Sequence, residues 1–297
     1  MPKIITMPTT PFFASSTFVL TRAIAQSVSP FTGKTRTQEF DTASWSSSVV
    51  LPAMRRDSAA AWQSFLLNAK GPTNFFLFTD PDAKTPRGTY NADALQAEAR
   101  INSGSQVSSV TLSFSGSTIT AGTAIFDGLV AGDFFFVSGA TNEANNGTHK
   151  IQTKSSDTVV ITTSVLTTES STASCSVKQN VKGAEALSLA ATSSSATGTV
   201  KQGDYLAVYN GTSLTTNDPV QLVMAVEDAT LTTNGGDDHY SVAIQPKLRA
   251  DLTNSHLVGF SSPHNQSRFR LTGNVVEWSA NSANTYTGIS FDVTEVI

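Results

Sequence analysis

The sequence predicts a mainly β protein: a β-sandwich with one flanking α-helix, plus inserted small all-β barrel or sandwich modules. Three observations lead there. Only 14% of the 297 residues are charged, and the polar remainder is rich in Ser, Thr, Asn and Gly, residues that suit exposed strand faces and the turns between strands. Apolar and polar residues alternate repeatedly along the chain, with the period of half-buried strands. A single segment carries the 3.6-residue period of an amphipathic helix.

Taken in order, residues 1–15 contain Pro2, Pro8 and Pro11 and read as an extended arm. Its Phe12 and Phe13 are expected to pack on their own domain or on a neighbour. STFVLTRAIAQSVS and TRTQEFDTASWSSSVVLP follow as two alternating strands. Phe18, Leu20 and Ile24 mark one face of the first; Phe40, Trp45, Val49 and Leu51 anchor the second; SPFTGKT turns between them. MRRDSAAAWQSFLLNAKG is the helix, over about 57–69. Trp62, Phe65, Leu66 and Ala69 fall at i, i+3, i+4 and i+7, Asp57 or Ser58 suits its start, and Gly71 is placed to end it in the left-handed region. TNFFLFTD is a short strand, and Pro81, Pro86 and Gly88 make PDAKTPRGTY a loop.

From about residue 104 the texture becomes Ser/Gly-rich, as at the start of a separate module. SVTLSF, STITAG, DFFFVSG, HKIQTK and TVVITTS are its strands, giving a module over 104–180. EALSLAA, GDYLAVY, VQLVMAVED and YSVAIQPKL form a second, over 181–250. The tail, RFRLTGNVVEWSANSANTYTGISFDVTEVI, reads as a hairpin of two long strands reaching Ile297. A strand there needs a sheet to join, and the sheet of residues 16–80 offers one. The expected organisation is therefore one domain from 1–103 and 251–297, interrupted by the two modules.

The modules echo each other. VAGDFFFVSGATNEANNGTHKI (130–151) and KQGDYLAVYNGTSLTTNDPVQL (201–222) both place a Gly-Asp pair before an apolar strand and an Asn-Gly-Thr after it. Gly tolerates positive φ and Asp can bond the turn with its side chain, so the repeat reads as duplicated scaffolding.

Candidate chemistry is sparse. His149, His239, His256 and His264 lie in different segments without HxH or HxxxH spacing and read as surface or rim histidines. NGGDDHY (234–240) reads as a hairpin tip and the Asp80/Asp82 pair as loop chemistry. No GxSxG, Walker or dinucleotide motif occurs. Asn146-Gly-Thr and Asn210-Gly-Thr match glycosylation sequons but read as turns. No enzyme activity, metal or cofactor is expected. The lone Cys175 excludes an internal disulfide and fits cytosolic synthesis. A formal net charge of −4 gives no electrostatic reason to seek nucleic acid or anionic membrane. The N-terminus lacks the pattern of a signal peptide, and no apolar run approaches the ~18 residues of a membrane span.

FVLTRAIAQSVSPFTGKTRTQEFDTASWSSSVVLPAMRRDSAAAWQSFLLNAKGPTNFFLFTDPDAKTPRG (18–88) resembles the N-terminal part of tail proteins of long-tailed bacteriophages. VKQGDYLAVY, VAIQPKLRAD and RFRLTGNVVEWSANSANTYTGISFDVTEVI are similar in the same way, so the resemblance covers most of the chain outside 104–180. It points to a minor tail protein, in particular the distal tail protein, which forms a ring, commonly hexameric, joining the tail tube to the baseplate hub or fibres and letting DNA pass. The resemblance implies a tail-tube-like β-sandwich with a helix on its flank and no catalytic residues. It implies virion localisation after synthesis in the host cytoplasm. The implied partners are further copies of the chain, the tail tube protein, and hub and fibre proteins, with no membrane insertion and DNA only in passage through an acidic lumen. On exposure grounds, Phe12, Phe13, Arg55, Arg56, Asp82 and Arg87 are the candidate subunit-interface residues. The alternative is a host-glycan-binding module of a tail fibre or receptor-binding protein, which exposed Trp or Tyr on residues 104–180 would favour.

Overall fold

The computed structural model describes residues 2–40, 42–90, 93–102, 104–190, 198–216, 218–234, 237–281 and 285–296. Its strands are β1 (Ser15–Thr21), β2 (Ile24–Val28), β3 (Thr35–Glu39), β4 (Ser44–Val50), β5 (Met54–Arg55), β6 (Phe76–Phe78) and β7 (Ala94–Ala97). β8 (Val107–Ser115), β9 (Thr118–Ala121), β10 (Phe134–Ser138), β11 (Gly147–Ser156), β12 (Val159–Thr162) and β13 (Glu169–Lys178) follow. Then come β14 (Ala186–Ala190), β15 (Thr199–Val200), β16 (Tyr205–Tyr209), β17 (Pro219–Ala225), β18 (Ala229–Thr230), β19 (Thr232–Asn234), β20 (Asp237–Gln245) and β21 (Leu257–Gly259). The last are β22 (Ser267–Leu271), β23 (Ser279–Ala280), β24 (Thr285–Thr287) and β25 (Ser290–Glu295). Among the described residues the one α-helix, α1 (Arg56–Ala69), lies between β5 and β6. The described residues are mainly β with a single α-helix, as composition and periodicity predict.

The chain divides into two compact units, Met1–Lys84 with Asp218–Leu222 and Gln266–Ile297, and Thr85–Asn217 with Val223–Asn265. In the first, β1-β4-β25-β22-β6 form one antiparallel sheet. β25 sits at its centre, so the chain's last described strand does join the sheet begun by residues 16–50. The alternation read from the sequence sends Trp45, Val49, Phe291, Val293, Phe269, Leu271, Phe76 and Phe78 to one buried face. α1 buries Trp62, Phe65, Leu66 and Ala69 and closes that face. Trp62 lies 6.0 Å from Phe291, and Phe65 meets Phe76 edge-on at 5.1 Å. Such ring pairs each add about 0.5–1.5 kcal/mol beyond the area they bury.

Three details differ from the sequence reading. The left-handed helix cap is Lys70 (φ 52°) rather than Gly71. Gly71, itself at φ 61°, opens the next turn, where a Cβ would press within 3.2 Å of Asn274. Ile24 and Phe40 are exposed, because each of the two long strands breaks in two: β1 and β4 stay in the sheet, while β2 and β3 leave it as a separate hairpin. Between the legs of the expected tail hairpin, β22 and β25, the chain inserts β23 and β24, which pair with each other, β24 also pairing with β5; Ile297 lies outside the described residues.

The second unit contains two closed barrels with one topology. The first runs β8-β9-β12-β11-β10-β13 and back to β8. The second runs β7-β14-β20-β17-β16-β21 and back to β7, with β19 appended to β20. Counted in chain order, both follow the sequence first, second, fifth, fourth, third, sixth. The first barrel occupies the chain between β7 and β14, the first two strands of the second. β7 and β21 therefore belong to the second barrel and not to the sheet-and-helix domain that the sequence assigns them to. Leu95 and Val258 pair with each other, and Val208 and Leu189 with their neighbours, across a buried apolar interior.

The Gly-Asp echo is the same corner built twice. Gly132 and Gly203 sit at φ 97° and 93°. Gly132 N–H donates to Ile151 O and Ile151 N–H to Asp133 O, both at 2.8 Å; Gly203 and Asp204 make the same exchange with Ala225 at 2.8 and 2.9 Å. Each Asp closes its own turn with one carboxylate oxygen: Val130 N–H donates to Asp133 Oδ2 at 2.9 Å, and Lys201 N–H to Asp204 Oδ2 at 2.8 Å. The corner joins the third and fourth strands of each barrel. Side-chain bonding by Asp to the turn explains why this residue type stands at both places.

Candidate subunit interface

The six candidate interface residues fall into different environments. Phe13 is half-buried in its own domain, 5.8 Å from Trp62 and 6.1 Å from Phe78. Phe12 is exposed, with Lys84 Nζ 4.2 Å above its ring. Arg55 is the exposed N-cap of α1 and pairs with Thr285; Arg56 is exposed in the first turn. Asp82 is exposed, and its N–H donates to Asp80 Oδ1 at 3.2 Å, which accounts for the DxD spacing as turn capping. Arg87 lies in the second unit, donating its N–H to Asp204 Oδ1 at 2.6 Å and Nη1 to Gln202 O at 3.0 Å. The structure does not bring these six into one patch within either unit.

What the sequence reading missed is that the halves of its first two strands nearest the SPFTGKT turn leave the sheet as a separate, exposed β2–β3 hairpin. All ten of its strand residues are exposed. Its register pairs Ile24 with Glu39, Gln26 with Thr37 and Val28 with Thr35 on one face, and Ala25 with Gln38 and Ser27 with Arg36 on the other. Phe31 at its tip is 95% exposed. The hairpin extends the β1–β4 pair, and β1 ends the order of the five-stranded sheet. The opposite edge, β6, is lined by the chain's own arm: Ile5 N–H donates to Phe75 O at 2.8 Å and Phe75 N–H to Lys3 O at 2.9 Å. Long unpartnered edges invite pairing with another chain, and an isolated two-stranded hairpin is marginal in water. The sequence signal was present as SPFTGKT between two strands of low apolar content.

Two histidines expected at the surface are buried. His239 Nε2 lies 2.8 Å from Asp133 Oδ1, with both side chains at most 2% exposed. The other oxygen of Asp133 holds its own turn, so the corner of the first barrel is tied to β20 of the second. Phe134 N–H to Ser241 Oγ at 3.0 Å and Glu185 N–H to Thr148 Oγ1 at 2.9 Å join the same junction. Gly235 and Gly236 of the expected hairpin tip lie outside the described residues, but β19 and β20 pair up to Asn234 and Asp237.

His149 donates Nε2–H to Asn145 O at 2.9 Å, and burial holds its pKa below the ordinary 6.5. The unfolded chain takes up this proton as pH falls through about 6.5, and the folded chain resists it. His149 therefore contributes stability above that pH and loses it below. Substitution His149→Gln is expected to flatten the loss of stability between pH 7 and 5, read from denaturant midpoints. An unchanged slope places the acid sensitivity elsewhere.

Among the described residues, no group of three or more His, Cys, Asp and Glu side chains could hold a metal ion, and no helix is long and apolar enough to cross a membrane. Comparison with protein-family models and with curated proteins gave no match for the chain.

Proposed function

We propose that the chain is a structural component of a long-tailed phage tail, of the distal-tail-protein kind, forming a ring between tail tube and baseplate hub or fibres. The observation that carries this reading is the hairpin: a fully exposed β ribbon continuing the edge of a sheet whose other face is sealed by α1. Among the described residues β1 ends the order of its sheet and β2 and β3 form a two-stranded ribbon, so side-by-side copies would extend these elements across the subunit boundary. Such a contact is heterologous, and it closes into a ring if the rotation between copies does. The resemblance to phage tail proteins read from the sequence of residues 18–88 points to the same role. So does the use of the one conspicuous repeat, Gly-Asp, as a barrel corner.

An acidic lumen does not follow if the hairpin lines it, since residues 22–40 carry Arg22, Lys34 and Arg36 against Glu39. The glycan-binding alternative has no aromatic platform in its favour: residues 104–180 contain neither Trp nor Tyr. In this proposal the role is structural rather than catalytic, and the first barrel is a decoration carried by the second. Negative-stain imaging of the purified chain tests the reading: annular particles of uniform diameter support it, and a field of single small particles opposes it.

A further inference from the structure

We infer that the hairpin tip of one copy seats in a groove on the first unit of the next copy; this rests on the ring reading above and names its contact. The groove, of about 160 Å³, has apolar walls from Leu66 of α1, Leu271, Val275, Val276 and Phe291 and polar walls from Thr272, Ser290 and Asp292. A cavity of about 150 Å³ lined by aliphatic and aromatic side chains accepts a benzene ring, so the groove has the size for one phenyl group. Phe31, 95% exposed at the tip, is an unfilled knob of that shape, and Val275, 81% exposed, is an apolar rim.

The charges match. Lys34 and Arg36 flank the tip, while exposed Glu277 and Asp292 flank the groove. The two features cannot meet within one copy. The hairpin leaves the sheet at the Thr21–Ser44 end, whereas Ser290–Asp292 of the groove pair with Val50–Ser48 near the opposite end of β4, and every hairpin strand residue stays exposed. Knob and hole at opposite ends of one sheet make a head-to-tail contact, not a self-complementary one.

Single-cysteine exchange tests this. Thr32→Cys keeps Phe31 and sits beside it; Val275→Cys sits on the groove rim; both positions are exposed. Native Cys175 is buried in the first barrel, and burial raises its thiol pKa, so it does not compete. The two variants are mixed under assembly conditions, oxidised and resolved without reductant. Disulfide dimers that require both variants are expected, and Lys34→Glu is expected to cut their yield several-fold, with recovery when the Val275→Cys partner also carries Glu277→Lys. Assembled particles that give no cross-link, or that link only Thr32→Cys to itself, overturn the contact while leaving the ring reading standing. Absence of any assembled species removes both.

Discussion

Asp133→Ala is expected to destabilise the second unit by about 2–6 kcal/mol, because it removes the acceptor of two hydrogen bonds, each unsatisfied donor costing about 1–3 kcal/mol. The substitution leaves His239 Nε2 and Val130 N–H without their acceptors in a site that is almost fully enclosed. Asp133→Asn keeps an acceptor oxygen for His239 and is expected to lose only about 1 kcal/mol, the net worth of an ordinary hydrogen bond. The twin corner supplies an internal control. Asp204, itself only 3% exposed, accepts from the Arg87, Gly88 and Lys201 N–H groups, so Asp204→Ala is expected to cost a similar amount through lost backbone bonds alone, with no histidine involved. Hydrogen exchange of the β10 and β20 amides reads the effect where it arises. Trp45, Trp62 and Trp278 all lie in the first unit, so the tryptophan-detected transition should stay in place. Equal losses for Asp133→Ala and Asp133→Asn would show that the carboxylate charge, not the acceptor geometry, holds the junction.

The second large effect concerns assembly. Ile24→Asp combined with Val28→Asp places two charges on the more apolar face of the hairpin. Both residues are more than half exposed, at 53% and 60%, on a hairpin outside the five-stranded sheet; Asp at 24 faces Glu39 and costs the hairpin itself up to about 1 kcal/mol, while the tryptophan-detected stability of the first unit should change little. A contact that buries this face in a neighbour must instead desolvate two carboxylates, each costing several kcal/mol unless paired. Loss of the assembled species with an unchanged tryptophan-detected transition is therefore expected. Unfolding of the first unit by the double substitution would mean that the hairpin supports its own domain, and the interface reading would fail.

Much of the fold is legible in the sequence because it is local. Trp62, Phe65, Leu66 and Ala69 announce the helix within about two turns, and the Gly-Asp repeat announces two matching units because each corner is set by four adjacent residues. What the sequence hides is long-range. ALQA and LVG, which become β7 and β21, are too short to show which sheet they join; only their pairing with β14 and β16 decides it. His239 follows turn residues and looks like a rim group, yet it points inward because Asp133, 106 residues away, waits there. The hairpin is hidden for a different reason. Ile24 and Val28 alternate as a half-buried strand does, and the pattern is the same whether the burying surface belongs to the chain or to its neighbour. Of the six interface candidates, Phe13 was found by its hydrophobicity but is half-buried in its own core, while Ile24, Val28 and Phe31 lie where exposure and apolar character coincide.

The most direct test of the assembly account is the native mass of the purified full chain over a wide concentration range, beside the Ile24→Asp/Val28→Asp variant. A single closed oligomer, six-fold as the resemblance implies, that gives way to monomer in the variant is expected. A strict monomer at every concentration, or an oligomer that the two aspartates leave untouched, would contradict it.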